Sequence, residues 1–509
     1  MPTDSLADQD VAKLPSPGEV ICVLKKQSPT EDIYEIFSLE QGEKDGKSSF
    51  ALRRQSYSKS DAGENETLQY LVENFGTKDL PVHLQPAQQR RLHVVVSTHS
   101  GTGLSTHFYE NSLAPLLEVF GLTASGELEQ GGTEQQGSYH LLITQNAESV
   151  KDFARGLAAF DRNEKNIEHT VVLLSGDGGV VDILNAYTKD NDDTTSGQDT
   201  DSQNQPLIAV LPLGTGNALF HSLNKTVKTQ AASDLVQGLR TLLRGRAAPL
   251  PSFKATFPEG SRTITYSETP DPTPTVDGST SVADPIPNLG EQTEYVTHLY
   301  GVVVASYGFH SQLVWESDTP EYRKHGAKRF QMVAAELLKE SHAYRATVEI
   351  NRSYFPADEE IIGVRELDRD RHAYILVTPV SNLEKTFCIS PDSRPLDGKL
   401  RIVHFGPVDG AKTMEIMMAA YDGGKHVDMR WEGTKAQGQD GEVREERVGY
   451  HEINEVRITT HEGDARWRKV CIDGTIVEIP SEGFMVVSKE ARRHLRVLVD
   501  GSTAPESAL

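Results

Sequence analysis

The chain has 509 residues, 37% of them hydrophobic, and a formal net charge of −23. That length and apolar content suffice for at least two packed cores and predict two or three domains, while the acidic balance excludes a domain-scale basic face and, with it, nucleic acid as a partner. Three cysteines, Cys22, Cys388 and Cys471, are too few and too scattered for a disulfide framework or a zinc site, which fits a reducing compartment.

The opening Met1–Pro2–Thr3–Asp4–Ser5 is polar and acidic, unlike a secretory leader. No window approaches ~18 uninterrupted apolar residues, so a soluble cytoplasmic protein is expected. Residues 1–90 read as a polar leader followed by a small β-rich region: an apolar run at 19–24, a period-two alternation at 34–39, and a third strand at 49–52 after the Asp45–Gly46 turn. The Ser/Asp/Gly/Glu-rich stretch from Ser56 to Glu66 argues against a strand there. Nothing in this region suggests chemistry, and a structural or docking appendage is expected.

From residue 91 the texture becomes α/β. His93–Val94–Val95–Val96 has the continuous hydrophobicity of a strand covered on both faces. A turn rich in hydroxyls and glycines follows it, with Ser97, Ser100, Gly101 and Gly103. Phe108, Leu113, Leu116, Leu117 and Phe120 then mark a helix interrupted or restarted at Pro115 and stopped at Gly121. Residues 140–144, ending in Thr144, read as the next strand, and 147–160 as a helix with Val150, Phe153, Ala154 and Leu157 on one face. This rhythm implies a parallel sheet with right-handed crossovers and ligands at the carboxyl ends of its strands.

Residues 171–179 (VVLLSGDGG) run from a buried strand into a glycine-dense turn that opens a helix. Such a turn offers backbone N–H groups and a positive helix end to an anion. Asp177 in its middle is either a helix cap or a base for a hydroxyl nucleophile. Residues 208–217 (IAVLPLGTGN) repeat the design, with Gly214, Thr215, Gly216 and Asn217 in the turn, and this recurrence favours phosphate chemistry. Between the two, residues 189–206 form an acidic polar insert expected to be disordered. A helix stripe at Leu235, Leu239, Leu242 and Leu243 ends at Gly245, giving an α/β domain over 91–246. Residues 247–500 show short alternating runs that predict an antiparallel β domain, with disordered inserts at 258–288 and 433–446, and 501–509 form a tail.

Taken in this order, Ser175–Gly176–Asp177–Gly178–Gly179 and Pro212–Leu213–Gly214–Thr215–Gly216–Asn217 resemble the signatures of the diacylglycerol kinase catalytic family, which includes sphingosine and ceramide kinases. Those signatures are a GGDGT-like turn and P-x-G-T-G-N. NAD kinases and phosphofructokinases share the first but lack the second. The resemblance spans roughly Leu92 to Val499 and implies a Rossmann-like nucleotide domain with a parallel sheet followed by an antiparallel β-sandwich domain, with ATP as phosphate donor and Mg2+ as cofactor. Asp177 would be the base. The turn at Ser97–Gly103 stands where the family has N-P-[KR]-[SG]-G-x-G, with Ser97, Thr98 and His99 replacing the first three residues; Thr144 stands where a hydroxyl is directed at the nucleotide. Gly179 replaces the family's Thr, and Asp182 replaces a helix Glu and is assigned to the substrate. Tyr307–Gly308–Phe309 and residues 321–330 (EYRKHGAKRF) resemble the sphingosine kinase segment in which two arginines, here Arg323 and Arg329, reach the nucleotide phosphates.

In the same segment sphingoid-base kinases place an acid against the substrate. This chain is two residues longer there, so the counterpart is Glu316 first and Asp318 second. Asp473, in residues 470–475 (VCIDGT), stands for the first acid of the family's V-D-G-E turn and would serve the nucleotide and its metal, while Thr475 replaces the Glu. The expected function is therefore phosphorylation of the primary hydroxyl of a sphingoid long-chain base. The alternatives are a diacylglycerol or ceramide kinase, a pseudokinase that has lost turnover through its changes at Ser97, His99, Gly179 and Thr475, and a kinase of a soluble hydroxyl compound. A membrane lipid substrate implies transient membrane-surface association; the oligomeric state is left open.

Overall fold

The strand run recognised around His93 sits near the middle of a seven-stranded sheet. In this computed structural model the described residues are 14–27, 32–44, 47–60, 65–98, 100–101, 103–125, 137–163, 167–189, 205–225, 232–266, 291–326, 328–352, 363–433 and 445–503. His99, most of the three predicted inserts and the end of the tail lie outside them.

Across the sheet the strands are Arg246–Pro249, Arg496–Val499, Leu207–Pro212, Glu168–Ser175, Arg90–Val96, Ser138–Ile143 and Thr123–Ser125. All neighbours are parallel except the first pair. The strands that lead into the three glycine turns are adjacent, with Val96 opposite Leu174 and Ser175 opposite Pro212. Their turns therefore leave the same edge of the sheet side by side. Near Pro115 the helix does not break: one π-helical turn, Tyr109–Leu113, precedes Ala114–Val119 and shifts the hydrogen-bond register just before the proline.

Two further sheets, of seven and eight strands, are antiparallel throughout and face each other. Phe253, Tyr307, Val348, Ile375, Ile402, Ile458, Val470 and Val487 fill the space between them. Inward and outward residues alternate along Tyr344–Arg352 and Glu455–Thr460, the period-two signature of a half-buried strand. The architecture is α/β plus a β-sandwich.

The boundary between these parts differs from the sequence expectation. Residues 247–249 of the strand Arg246–Pro249, and all of Arg496–Val499, were assigned above to the region 247–500 but belong to strands of the first sheet. The chain's last strand returns to fill the gap beside Leu207–Pro212, a pairing between segments too distant for local patterning to reveal. A single apolar cluster also runs from Val171 and Leu173 through the helix Asp177–Lys189 and Val302–Val304 to Leu376 and Phe405 in the sandwich.

The front region is a four-stranded sheet, ordered Lys47–Ser58, Ile33–Lys44, Val20–Lys26 and Gly76–Thr77, with the helix Glu66–Phe75 on one face. Its third strand continues to Ser58, past the point where composition argued against it, because each residue from Lys47 onward pairs with the strand beside it. Both faces are covered: Val20, Val23 and Ile36 meet Leu68 and Phe75, while Ile21, Phe37 and Phe50 join Phe108, Leu117 and Leu242 of the α/β part. Arg240 donates to the carbonyls of Val20 and Pro17 and lies over the Phe75 ring. The region is packed into the main body rather than appended to it.

Candidate active site

The three turns touch through their backbones, and glycine is what permits the approach. A Cβ on Gly176 would lie 2.9 Å from the Gly214 Cα, and one on Gly101 would lie 2.5 Å from the Leu213 carbonyl. Gly101 also has φ +56°, in the left-handed region. Hydroxyls complete the junction: Ser100 Oγ donates to Ser97 Oγ at 2.7 Å and lies 2.9 Å from Ser175 Oγ. A side chain at Gly179 would strike the buried Ser175 hydroxyl, its Cβ falling 2.6 Å away, so Ser175 and a glycine at 179 are a matched pair. Gly178, Thr215, Gly101 and Gly103 are exposed around this junction.

Asp177 is the first residue of its helix and is partly buried. Its carboxylate accepts from the backbone N–H groups of Ala218 at 2.8 Å and Leu219 at 2.9 Å, the first two residues of the helix Ala218–Leu223. Burial pushes its pKa above the ordinary carboxylate value, and the hydrogen bonds from Leu219 and Ala218 oppose the rise. The third turn consequently uses several of its amides internally: Leu213 N–H donates to the Ser175 carbonyl, Gly214 N–H to Asn217 Oδ1, and those of Ala218 and Leu219 to Asp177. The sequence reading, in which the N–H groups at this helix entrance await an anion, is corrected to that extent. Asn217 closes the loop from a left-handed backbone, φ +51°, returning its amide to the Gly214 carbonyl.

The sandwich meets this junction through a second acid. Asp473 sits in a tight turn with φ +47° and accepts from the consecutive N–H groups of Val302, Val303 and Val304, while its own N–H donates to the Val304 carbonyl. Burial pushes its pKa up to about 7 against those hydrogen bonds, and the nearby charge of Asp177 adds to the rise. The strand that precedes Val302 is fastened to the Asp177 helix, since Asn185 exchanges hydrogen bonds of 2.8 Å with both N–H and C=O of Tyr300. From the other side the Leu383 carbonyl lies 3.2 Å from where a Gly216 Cβ would stand, with Asp177 Oδ2 3.9 Å from the same point.

The remaining predicted residues divide. Asp318 grips Arg323 through both oxygens, at 3.1 and 2.7 Å, and Arg329 at 3.4 Å, so the second-choice acid and the two arginines form one cluster. Arg323 also reaches the Tyr266 carbonyl at 3.4 Å. Ile264 pairs with Ile476, so the strand brings Tyr266 level with the turn that follows Asp473. Glu316, the first-choice acid, is engaged elsewhere: it accepts from Gln312 at 2.7 Å and from Arg466 at 2.9 and 3.0 Å. Thr144 is 5% exposed and its hydroxyl accepts from the Thr98 N–H at 3.0 Å, so it braces the first turn from beneath instead of facing outward. Asp182 lies one turn into the Asp177 helix toward Lys151 and Glu148, and burial raises its pKa to about 6.

Sequence reasoning missed the amides of Ala218, Leu219 and Val302–Val304, the Asn185 clamp and Leu383. Backbone donors carry no residue-type signature, and Asn185 reads as one more polar residue on a helix.

Among the described residues no cluster of three or more His, Cys, Asp or Glu could hold a metal by itself, and no helix is long and apolar enough to cross a membrane. Asp177 and Asp473 are near enough for the charge of the first to raise the pKa of the second, and magnesium is commonly held by one or two carboxylates, water and substrate phosphates.

Residues 91–250 match the family described as the diacylglycerol kinase catalytic domain. No curated protein matches the chain. Similar solved structures include a candidate diacylglycerol kinase from Bacillus anthracis str. Sterne, 12% identical with a TM-score of 0.45, covering 82% of this chain and 100% of that chain. A diacylglycerol kinase from the same strain is 10% identical with a TM-score of 0.42, over the same shares of the two chains.

Proposed function

We propose, from the match of residues 91–250 to the diacylglycerol kinase catalytic domain, that this chain is a lipid kinase that transfers the γ-phosphate of ATP to the primary hydroxyl of a sphingoid long-chain base. The observation that carries the reading is Asp177, a partly buried carboxylate held by two backbone amides where three glycine turns converge. Kinases of this family use ATP. The exposed glycines at the junction allow polyphosphate to approach the backbone, and the Arg323–Arg329 pair beside Tyr266 supplies fixed positive charge from the sandwich.

Asp177 then accepts the proton of the lipid hydroxyl as that oxygen bonds to the γ-phosphorus, and ADP departs with the electrons of the broken P–O bond. The amides of Ala218 and Leu219 keep the carboxylate oriented, while burial raises its basicity. Asp473, with Asp177 beside it, would hold a magnesium ion that neutralises charge on the phosphates. The sphingoid base is favoured by the SGDG and GTGNA turns and by the arginine segment. Glu316 is paired to Arg466 and Asp318 to Arg323 and Arg329, so either acid would have to exchange an arginine for the substrate's amine.

The test is transfer of labelled γ-phosphate to sphingoid bases, ceramide and diacylglycerol in mixed micelles. Asp177→Asn is expected to lower kcat by about 10²–10⁴-fold. Because Asp177 must be ionised and its pKa is raised, the wild-type rate should climb with pH through an inflection above the ordinary carboxylate range. Equal silence from both proteins across the panel, with ATP still bound, would sink the kinase reading in favour of a pseudokinase; transfer confined to ceramide or diacylglycerol would replace the sphingoid base.

A further inference from the structure

The helix Gly410–Tyr421, N-capped by Asp409, buries Thr413, Ile416 and Ala420. Its opposite face is also apolar: Met414 is 44% exposed, Met418 56% and Tyr421 42%, spaced so that they form one stripe. Lone exposed hydrophobics are ordinary, whereas a contiguous row on one helix face is an interaction surface. Four ion pairs are made by charges on this helix and the segments near it, Lys412 with Glu415 at 2.7 Å, Lys425 with Asp422 at 2.7 Å, Arg430 with Glu445 at 3.1 Å and Lys385 with Asp234 at 3.0 Å, while Glu384 accepts from Tyr421 of the row itself.

The row is also joined to the candidate active site. Tyr421 packs edge-on against Phe387, with ring centroids 4.8 Å apart, and its hydroxyl donates to Glu384. Phe387 and Leu383 close one short hairpin, with Leu383 N–H donating to the Phe387 carbonyl at 3.1 Å, and Cys388 N–H ties that hairpin to the helix at Ala420. Leu383 is the residue whose carbonyl lies against Gly216 beside Asp177. One hairpin thus separates the apolar row from the proposed base.

We propose that Met414, Met418 and Tyr421 are the face by which this chain docks on a lipid bilayer, and that the bilayer it fits is zwitterionic rather than anionic. The inference rests on the lipid-kinase reading, which requires an acceptor drawn from a membrane. Methionine side chains are flexible and polarizable enough to enter disordered acyl chains, and tyrosine favours the headgroup level. A rim of paired charges matches headgroups that carry both signs. A chain with a net charge of −23 is repelled by an anionic surface.

The experiment is co-sedimentation of the full chain, without ATP, with phosphatidylcholine vesicles and with vesicles containing phosphatidylserine. The wild type is compared with Met414→Ser/Met418→Ser/Tyr421→Ser and with Met414→Leu/Met418→Leu. The serine variant should lose partitioning to phosphatidylcholine by roughly tenfold or more, and the leucine variant should retain it. Phosphatidylserine should weaken wild-type binding, and added salt should restore it. Phosphate transfer to a short-chain, monomeric acceptor should be equal in the wild type and the leucine variant. Equal partitioning of wild type and serine variant overturns the proposal. So does binding confined to anionic vesicles, or a wild-type dimer that the serine variant abolishes. Partitioning is read without turnover, so normal partitioning with no phosphate transfer to any acceptor would sink the kinase reading and leave the docking face standing.

Discussion

A single methyl group should disturb the site at Gly214. A Cβ there would run into the Gly176 Cα, closer than real contacts occur, and Asn217 Oδ1 lies 2.9 Å from the same point. Backbone cannot rotate away as a side chain can. Gly214→Ala is therefore expected to lower stability by about 1–3 kcal/mol, and to weaken ATP binding because the second and third turns must separate. Gly463→Ala serves as the control, since that residue is exposed and a Cβ on it meets nothing within 4 Å. Thermal melting and ATP titration of both variants check the pair; equal behaviour would mean that the turns are looser than their contacts imply.

The helix Asp177–Lys189 carries the proposed base at its first residue and a clamp two turns later. Asn185 satisfies the Tyr300 N–H and C=O together, with the segment that feeds Asp473 its three amides starting two residues on. Removing the side chain takes a partner from each of two backbone groups, at about 1–3 kcal/mol each if nothing replaces it. Asn185→Ala is expected to lower the unfolding midpoint, to speed hydrogen exchange at the Tyr300 amide, and to reduce kcat by letting Asp473 drift. Asn185→Asp keeps the acceptor and should protect the Tyr300 N–H alone. Unchanged exchange in the alanine variant would count against the clamp. This element shows why the site was only half readable: Ser175, Gly176 and Asp177 lie together in the chain, but Asn185 acquires its meaning from a strand 115 residues away.

For the molecule as a whole, the last strand is structural. Arg496–Val499 lies between Leu207–Pro212 and Arg246–Pro249, so its loss would leave a gap inside the parallel sheet and take Val497 and Leu498, both nearly fully buried, out of the apolar clusters they fill. A chain ending before Arg496 is expected to lose its cooperative thermal transition and ATP binding. Loss of only the residues after Thr503 should change neither. Circular dichroism melts and gel filtration distinguish these outcomes, and a cooperative, ATP-binding truncation would show that the strand is dispensable.

The sequence by itself determined the features built from neighbouring residues. Four strands of the first sheet, at 93–96, 140–144, 171–174 and 208–211, were legible from their apolar runs, and the glycine turns because each turn is complete within a few residues. The change from α/β texture to short alternating strands marked the sandwich. What only the tertiary structure decided are pairings between remote segments: the return of Arg496–Val499 to the first sheet, the packing of the front sheet against the α/β helices, the amides that hold Asp177 and Asp473, and the commitment of Glu316 to Arg466. The physical reason is common to all of them. Burial and hydrogen-bond partners at these positions are set by which backbone groups are brought within about 3 Å, and that follows from the complete packing arrangement, which no local window of residues specifies.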